Sequence, residues 1–316
     1  MEDMILVHTS GSTGKPKPMW VERSRMEASA RITCQFLGLT EEDTALLCLS
    51  EDYIAGKMMR VRSEVCGMRL IEVEPCGHPL AGLTETPTFA AMVPMQVYNS
   101  LQVPEERQRL RAIRNIIIGG GAVSTEMATE LRSFPNAVWS TYGMTETLSH
   151  IALRRLSGLE ASDWYTPFES VCISTNDDGV LVIDAPLVCP DRLVTNDIVE
   201  LHPDGRRFRI RGRRDNVICS GGLKLQIEEI ESALQPYIPC PFAITKRTDR
   251  KFGEVAVLVA ASTDTAALKA ICQERLPKYW QPHHYVSVAE IPMTETGKPA
   301  RALIHQRTNL QLINGH

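Results

Sequence analysis

Met4-Ile5-Leu6-Val7-His8-Thr9-Ser10-Gly11-Ser12-Thr13-Gly14-Lys15-Pro16-Lys17 joins a short apolar run to a loop of glycines, hydroxyls and lysines. An apolar run of this length opening into such a loop reads as a strand that carries a ligand loop at its end. Gly11 and Gly14 let backbone N–H groups crowd inward. Thr9, Ser10, Ser12, Thr13 and the cations Lys15 and Lys17 surround that concavity, which suits a polyphosphate. The Walker A pattern does not fit. Thr9 stands five residues before Gly14, and Pro16 follows Lys15 where a metal-binding hydroxyl is required. A mobile Gly/Ser linker fits the composition but not lysines set beside prolines.

The flanking sequence carries the same texture onward. Ala45–Leu49 and Arg69–Val73 read as strands with a helix from Ile54 to Met68 between them. Thr88–Val93 and Asn115–Ile118 are further buried-strand candidates, each followed by a helical stretch. This alternation predicts an α/β architecture with a largely parallel sheet. From about residue 170 hairpin signals take over. Asn176-Asp177-Asp178-Gly179 separates two apolar runs, and Pro203-Asp204-Gly205 separates Ile198–Leu201 from Phe208–Ile210. After Arg213-Arg214-Asp215 a smaller α+β unit is expected, with a helix at Leu225–Leu234, strands near Ala243 and Val255–Ala260, and a helix at Thr265–Leu276. The boundary falls near Arg214, dividing residues 1–213 from 214–316.

Composition limits the function classes. A length of 316 residues allows about two domains. A formal charge of -4 leaves no electrostatic footprint for nucleic acid. No apolar stretch approaches a membrane span, and Met1-Glu2-Asp3 is unlike a signal peptide. The nine cysteines include no Cys-x-x-Cys pair, which predicts reduced thiols in a cytoplasmic protein and no zinc site.

Four more clusters carry chemistry. Ser140-Thr141-Tyr142-Gly143-Met144-Thr145-Glu146-Thr147 places an aromatic ring, hydroxyls and one carboxylate after an apolar run. Tyr142 could stack on a purine and Glu146 is a hard ligand for Mg²⁺, although the segment alone also reads as a turn around a buried tyrosine. Gly119-Gly120-Gly121 permits close approach of backbone to a ligand, or simply turns a strand into a helix. Asp197, in Thr195-Asn196-Asp197, could accept two hydrogen bonds from a ribose diol or cap a turn. Thr296-Gly297-Lys298 ends a loop near the C-terminus, where a lone lysine would be a solvated one.

In this order the segments resemble the acyl-adenylate-forming superfamily of acyl-CoA synthetases, peptide-synthetase adenylation domains and luciferases. His8–Lys17 resembles its phosphate loop, Tyr142–Glu146 its adenine and magnesium motif, and Thr195–Asp197 its ribose motif. Gly212-Arg213-Arg214-Asp215 with Gly221-Gly222-Leu223-Lys224 and Glu228–Glu231 resembles its hinge and crossover, and Thr296–Lys298 its adenylation loop. Within the superfamily, Asp52-Tyr53-Ile54-Ala55-Gly56-Lys57-Met58-Met59 with Arg62, and Thr145–Arg154, are similar to the short o-succinylbenzoate–CoA ligases of menaquinone biosynthesis.

The resemblance implies the adenylating-enzyme fold, with a large domain trimmed at its N-terminus and a small mobile C-terminal lid. It implies ATP, Mg²⁺ and coenzyme A as partners of a small carboxylic acid, and leaves a homodimer open. Thr9, Ser10, Gly11, Ser12, Thr13, Gly14 and Lys15 would hold the β- and γ-phosphates, Gly119–Gly121 with Tyr142 and Gly143 the adenine, and Asp197 with Arg213 the ribose. Glu146 would hold the metal beside Thr145, and Lys298 would bridge the acid and the α-phosphate. Lys57, Arg62 and His150 would face the acid, Asp215 would be the hinge, and Gly221, Gly222 and Lys224 the thioester face. An enzyme for another acid, a carrier-loading enzyme and a non-catalytic nucleotide-binding relative are the competing expectations.

Departures from the family pattern are few. Pro18 and Asn196 stand where glycine is usual and Lys224 where arginine is common. None removes a charged or metal-binding group. Only seven residues precede His8, which predicts a trimmed subdomain or a truncated chain.

Overall fold

The computed structural model describes residues 3–8, 18–294 and 299–314. The chain opens with a hairpin of β1 (Met4–His8) and β2 (Pro18–Glu22), antiparallel with Leu6 opposite Trp20. The helix α1 (Arg23–Leu37) follows directly. Then β3 (Thr44–Leu47), α2 (Ile54–Cys66), β4 (Arg69–Glu72), β5 (Phe89–Met92), α3 (Pro94–Gln102), α4 (Pro104–Ala112), β6 (Asn115–Ile118), α5 (Thr125–Leu131), β7 (Ala137–Gly143), β8 (His150–Arg155) and β9 (Thr166–Pro167) alternate.

These strands form one seven-stranded sheet in the order β4-β3-β5-β6-β7-β8-β9. Its first five strands run parallel; β8 is antiparallel to β7, and β9 antiparallel to β8. All four residues of β5 and of β6 are buried, as expected of parallel strands covered on both faces. One core fills the side occupied by α3, α4 and α5, and a second lies under α1.

The layered α/β expectation therefore holds, and the strand and helix positions agree within one or two residues. The α2 helix stops at Cys66 because Gly67, at φ 70°, turns the chain into the left-handed region and caps the carbonyls of Ser63 and Glu64.

A four-stranded antiparallel sheet comes next, from β10 (Cys172–Thr175), β11 (Val180–Asp184), β12 (Leu193–Leu201) and β13 (Phe208–Arg213). Thr195-Asn196-Asp197 was expected before a strand. It lies inside β12, because Leu193 and Val194 already pair with Ile183 and Val182 of β11.

Past the short helical turn Arg214–Asn216, β14 (Val217–Ser220) and β15 (Leu223–Gln226) make a hairpin. The helix expected from Leu225 begins two residues later, as α6 (Ile227–Leu234), since Leu225 and Gln226 pair with Ile218 and Val217. The chain ends with β16 (Phe242–Asp249), β17 (Gly253–Ala260), α7 (Thr265–Arg275), β18 (His284–Ser287) and α8 (Arg301–Asn314). Strands β14 to β18 form a five-stranded sheet whose two apolar clusters draw only on residues after Asp215. Among the described residues no helix is long and apolar enough to cross a membrane.

Candidate functional site

Strand β7 delivers alternate residues inward, and its last inward residue is Tyr142, 7% exposed. The ring packs against Phe208 edge-on at 5.0 Å and against Tyr165 at 5.9 Å. The tyrosine thus presents its hydroxyl rather than the open ring face that purine stacking was expected to need. That hydroxyl donates to Asp197 Oδ2 at 2.6 Å. Burial first, and then the Asp197 charge, pushes the phenol well above its ordinary range and keeps it a donor.

Asp197 and Arg213 face each other across the β12–β13 ladder, and Arg213 Nη1 donates to Asp197 Oδ1 at 3.0 Å. The second nitrogen, Nη2, donates to Asp215 Oδ2 at 2.9 Å. A carboxylate has about four lone-pair sites, so Asp197 keeps acceptor capacity for a diol after binding both neighbours. The three residues expected at the nucleotide are thereby joined.

The turn after β7 is unusually constrained. Gly143 pairs with His150, and a Cβ on it would lie 2.2 Å from the Ser149 carbonyl oxygen and 2.4 Å from His150 Cα. Buried Thr147 closes the turn: its hydroxyl accepts from the Met144 N–H at 3.1 Å and lies 2.7 Å from the Ser149 carbonyl. Leu148 takes a left-handed φ of 63°, alone among the described non-glycine residues, which is strain of the kind that collects at functional sites. Thr145 is buried in this turn and Glu146 is exposed on it. Glu146 makes no hydrogen bond or ion pair with any described residue.

One residue pair further along, β8 starts with His150, and there α2 and α1 converge. Arg62 is 2% exposed and donates through Nη2 to Ser149 Oγ. Its Nη1 faces Met59 Sδ at 3.7 Å, and its buried Nε has no partner. No described carboxylate pairs with it. Burial pushes this guanidinium down to about 10. His150, 7% exposed, reaches Ser149 Oγ through Nδ1 at 3.1 Å and Thr33 Oγ1 through Nε2 at 3.2 Å. Burial, then the Arg62 charge, holds the imidazole well below its usual range. A guanidinium buried without a counterion is costly unless a ligand supplies one.

The family model of the AMP-binding enzymes matches residues 2–185. This chain belongs to the AMP-binding enzyme family. A solved structure, an acyl-CoA synthetase (AMP-forming)/AMP-acid ligase II-like protein from Dyadobacter fermentans, is 34% identical; it covers 96% of this chain and 89% of its own, with a TM-score of 0.65. The o-succinylbenzoate CoA synthetase from Bacillus subtilis, solved with its acyl-adenylate intermediate, is 25% identical over 95% of this chain and 68% of its own, with a TM-score of 0.79. A 2-succinylbenzoate–CoA ligase from Listeria monocytogenes is 27% identical over 96% of this chain and 69% of its own length.

The other expected site residues of this AMP-binding enzyme distribute unevenly. Thr9, Ser10, Gly11, Ser12, Thr13, Gly14, Lys15 and Lys298 lie outside the described residues. Gly119, Gly120 and Gly121 follow β6, with Gly120 at φ 76° and Gly119 so close to Thr141 Oγ1 that a Cβ would sit 2.6 Å from it. Lys57 is half-buried on α2 and its charge acts on Glu51, so it does not join the Arg62 network. Asp215 lies in the turn between β13 and β14. Gly221 and Gly222 turn β14 into β15, and Lys224 is exposed beyond them.

Ser149 and Thr33 carry no sequence signal for this network: a serine beside a strand is commonplace, and a threonine on the inner face of an amphipathic helix reads as filler. Magnesium fits the donor set: Glu146 is an exposed oxygen ligand with no partner among the described residues. Among the described residues no cluster of three or more His, Cys, Asp or Glu side chains offers a protein cage.

Proposed function

We propose that this AMP-binding enzyme activates a carboxylic acid as its acyl-adenylate and transfers the acyl group to the thiol of coenzyme A, with o-succinylbenzoate as the acid. The observation that carries the reading is Arg62: a buried guanidinium with no carboxylate partner among the described residues, bonded to Ser149 in the turn that follows the strand of Tyr142. o-Succinylbenzoate has two carboxylates. If the succinyl one reacts, the aromatic one needs a buried cation, and a planar guanidinium grips a carboxylate through two parallel hydrogen bonds. The names of the Listeria and Bacillus relatives point to the same acid.

In this reading the succinyl carboxylate attacks the α-phosphate of ATP and pyrophosphate leaves. Negative charge builds on the phosphoryl oxygens, so fixed donors and cations are what the step requires. Thr9 to Lys15 would hold the β- and γ-phosphates and Lys298 would bridge the acid and the α-phosphate. Asp197 would accept the ribose hydroxyls, held in place by Arg213 and by the Tyr142 hydroxyl. Glu146 would hold magnesium, which when bound neutralises phosphate charge. Gly119–Gly121 leave room for the adenine beside β7.

We read residues 1–213 as the large domain and 214–316 as the lid. The separate apolar clusters after Asp215 support that division. Turning about Asp215 would withdraw Lys298 after adenylation and bring up Gly221, Gly222 and Lys224 for thiol attack.

The test is ATP–pyrophosphate exchange with o-succinylbenzoate, benzoate and short fatty acids, followed by thioester analysis with coenzyme A or a pantetheinyl carrier protein. Exchange dependent on the dicarboxylate, with a coenzyme A thioester as product, is expected. Exchange with a monocarboxylate alone would move the acid specificity. No exchange with any acid would leave a nucleotide-binding relative without catalysis.

A further inference from the structure

The polar groups around Arg62 form a chain whose hydrogen-bond direction is forced. Thr33 Oγ1 donates to the Ser29 carbonyl one turn back on α1, at 3.1 Å. A hydroxyl has one hydrogen, so Thr33 can only accept from His150 Nε2, which lies 3.2 Å away. His150 therefore carries its proton on Nε2, and its Nδ1 is an acceptor. Ser149 Oγ, 3.1 Å from Nδ1, donates to it and accepts from Arg62 Nη2.

The opposite tautomer fails on the same count. It would aim two donors at Ser149, leave the serine hydrogen without an acceptor among the described residues, and take Thr33 away from the Ser29 carbonyl. Thr33 is fully buried and His150 is 7% exposed, so no bulk water makes up for a lost bond.

From this we infer that Thr33 is a positioning residue: it fixes the His150 tautomer, which orients Ser149 and so the Arg62 guanidinium toward an acidic group of the substrate. His150 then has both ring nitrogens committed and orients Arg62 without itself contacting the acid. The part of the inference that concerns substrate rests on the proposed carboxylate activation; the tautomer does not.

Thr33→Val keeps the shape and removes the hydroxyl, and Thr33→Ser restores it. ¹⁵N NMR of the imidazoles in the whole protein reads the tautomer directly, and steady-state adenylation reads the acid. The wild type should show protonated Nε2 and unprotonated Nδ1 at His150. In Thr33→Val that pattern should be lost and the KM for the acid should rise about fivefold, the effect of one buried hydrogen bond. The kcat and the KM for ATP should change little, and Thr33→Ser should recover both readouts. An Nε2-protonated His150 in Thr33→Val overturns the relay. A lost pattern with an unchanged acid KM overturns the positioning role. If no acid is activated by the wild type while the pattern still depends on Thr33, the relay stands and the functional reading falls.

Discussion

Arg62 and His150 are the two residues whose burial is hardest to explain as packing. A solvated helix arginine would lose little on truncation, but Arg62 is 2% exposed and carries an unsatisfied Nε. Arg62→Ala should raise the KM for the dicarboxylate about tenfold or more, some 1.4 kcal/mol of binding, with the KM for ATP nearly unchanged. Steady-state exchange kinetics check this, and an equal rise in both constants would place Arg62 in general packing. His150 makes a pH prediction. Its folded pKa is lowered, so below about pH 6.5 the unfolded chain takes up a proton that the native ring refuses. Stability should therefore be fully present above that pH and fall as the solution is acidified, by up to about 1.4 kcal/mol per pH unit from this residue. Urea titrations at pH 7, 6 and 5 on the wild type and His150→Gln should show the steeper acid loss in the wild type. Parallel curves would mean the ring titrates normally in the native state.

The turn between β7 and β8 holds both halves of the candidate site, the Tyr142 end and the Arg62 end, at a fixed spacing. Its geometry leaves no space at Gly143, where any side chain meets the main chain of Ser149 and His150. Gly143→Ala should cost about 1–3 kcal/mol, as overpacking does, and should reduce adenylation by displacing His150 and Ser149 together. Chemical denaturation and exchange assays check both effects; a stable, active variant would show that the turn adapts. The glycine was legible in sequence as part of a motif, but its steric role was not. The clash partner arrives from the returning strand, whose register depends on the irregularity between Tyr142 and Gly143.

At the level of the whole molecule, Asp215 sits where the four-stranded sheet gives way to the five-stranded one, and it accepts from Arg213 Nη2. Asp215→Pro fixes φ near -65° and should leave adenylation working while thioester formation fails; Asp215→Ala controls for the lost carboxylate. Single-turnover measurements of the two half-reactions check this, and equal rates in both for the proline variant would displace the hinge. Sequence alone determined the order of the elements and the identity of the motifs. Apolar periodicity, turn residues and glycine–lysine loops are local properties: they specify β5, β6, α2 and the Asn176–Gly179 hairpin without knowledge of their neighbours. Motif resemblance assigned Asp197 and Arg213 to one ligand group; that they bond to each other across the β12–β13 ladder is a fact of the tertiary structure. Strand ends were less legible, since β12 and β15 gain residues only because β11 and β14 lie beside them to complete the ladder. What only the tertiary structure decided is the company kept by Arg62. Ser149 and Thr33 are 87 and 29 residues away in sequence, and α1, α2 and β8 bring them to one point. Burial removes water from Thr33 and His150, and without water their hydrogens must find protein acceptors. That requirement, invisible in a string of residues, sets the histidine tautomer and leaves the guanidinium in want of an anion.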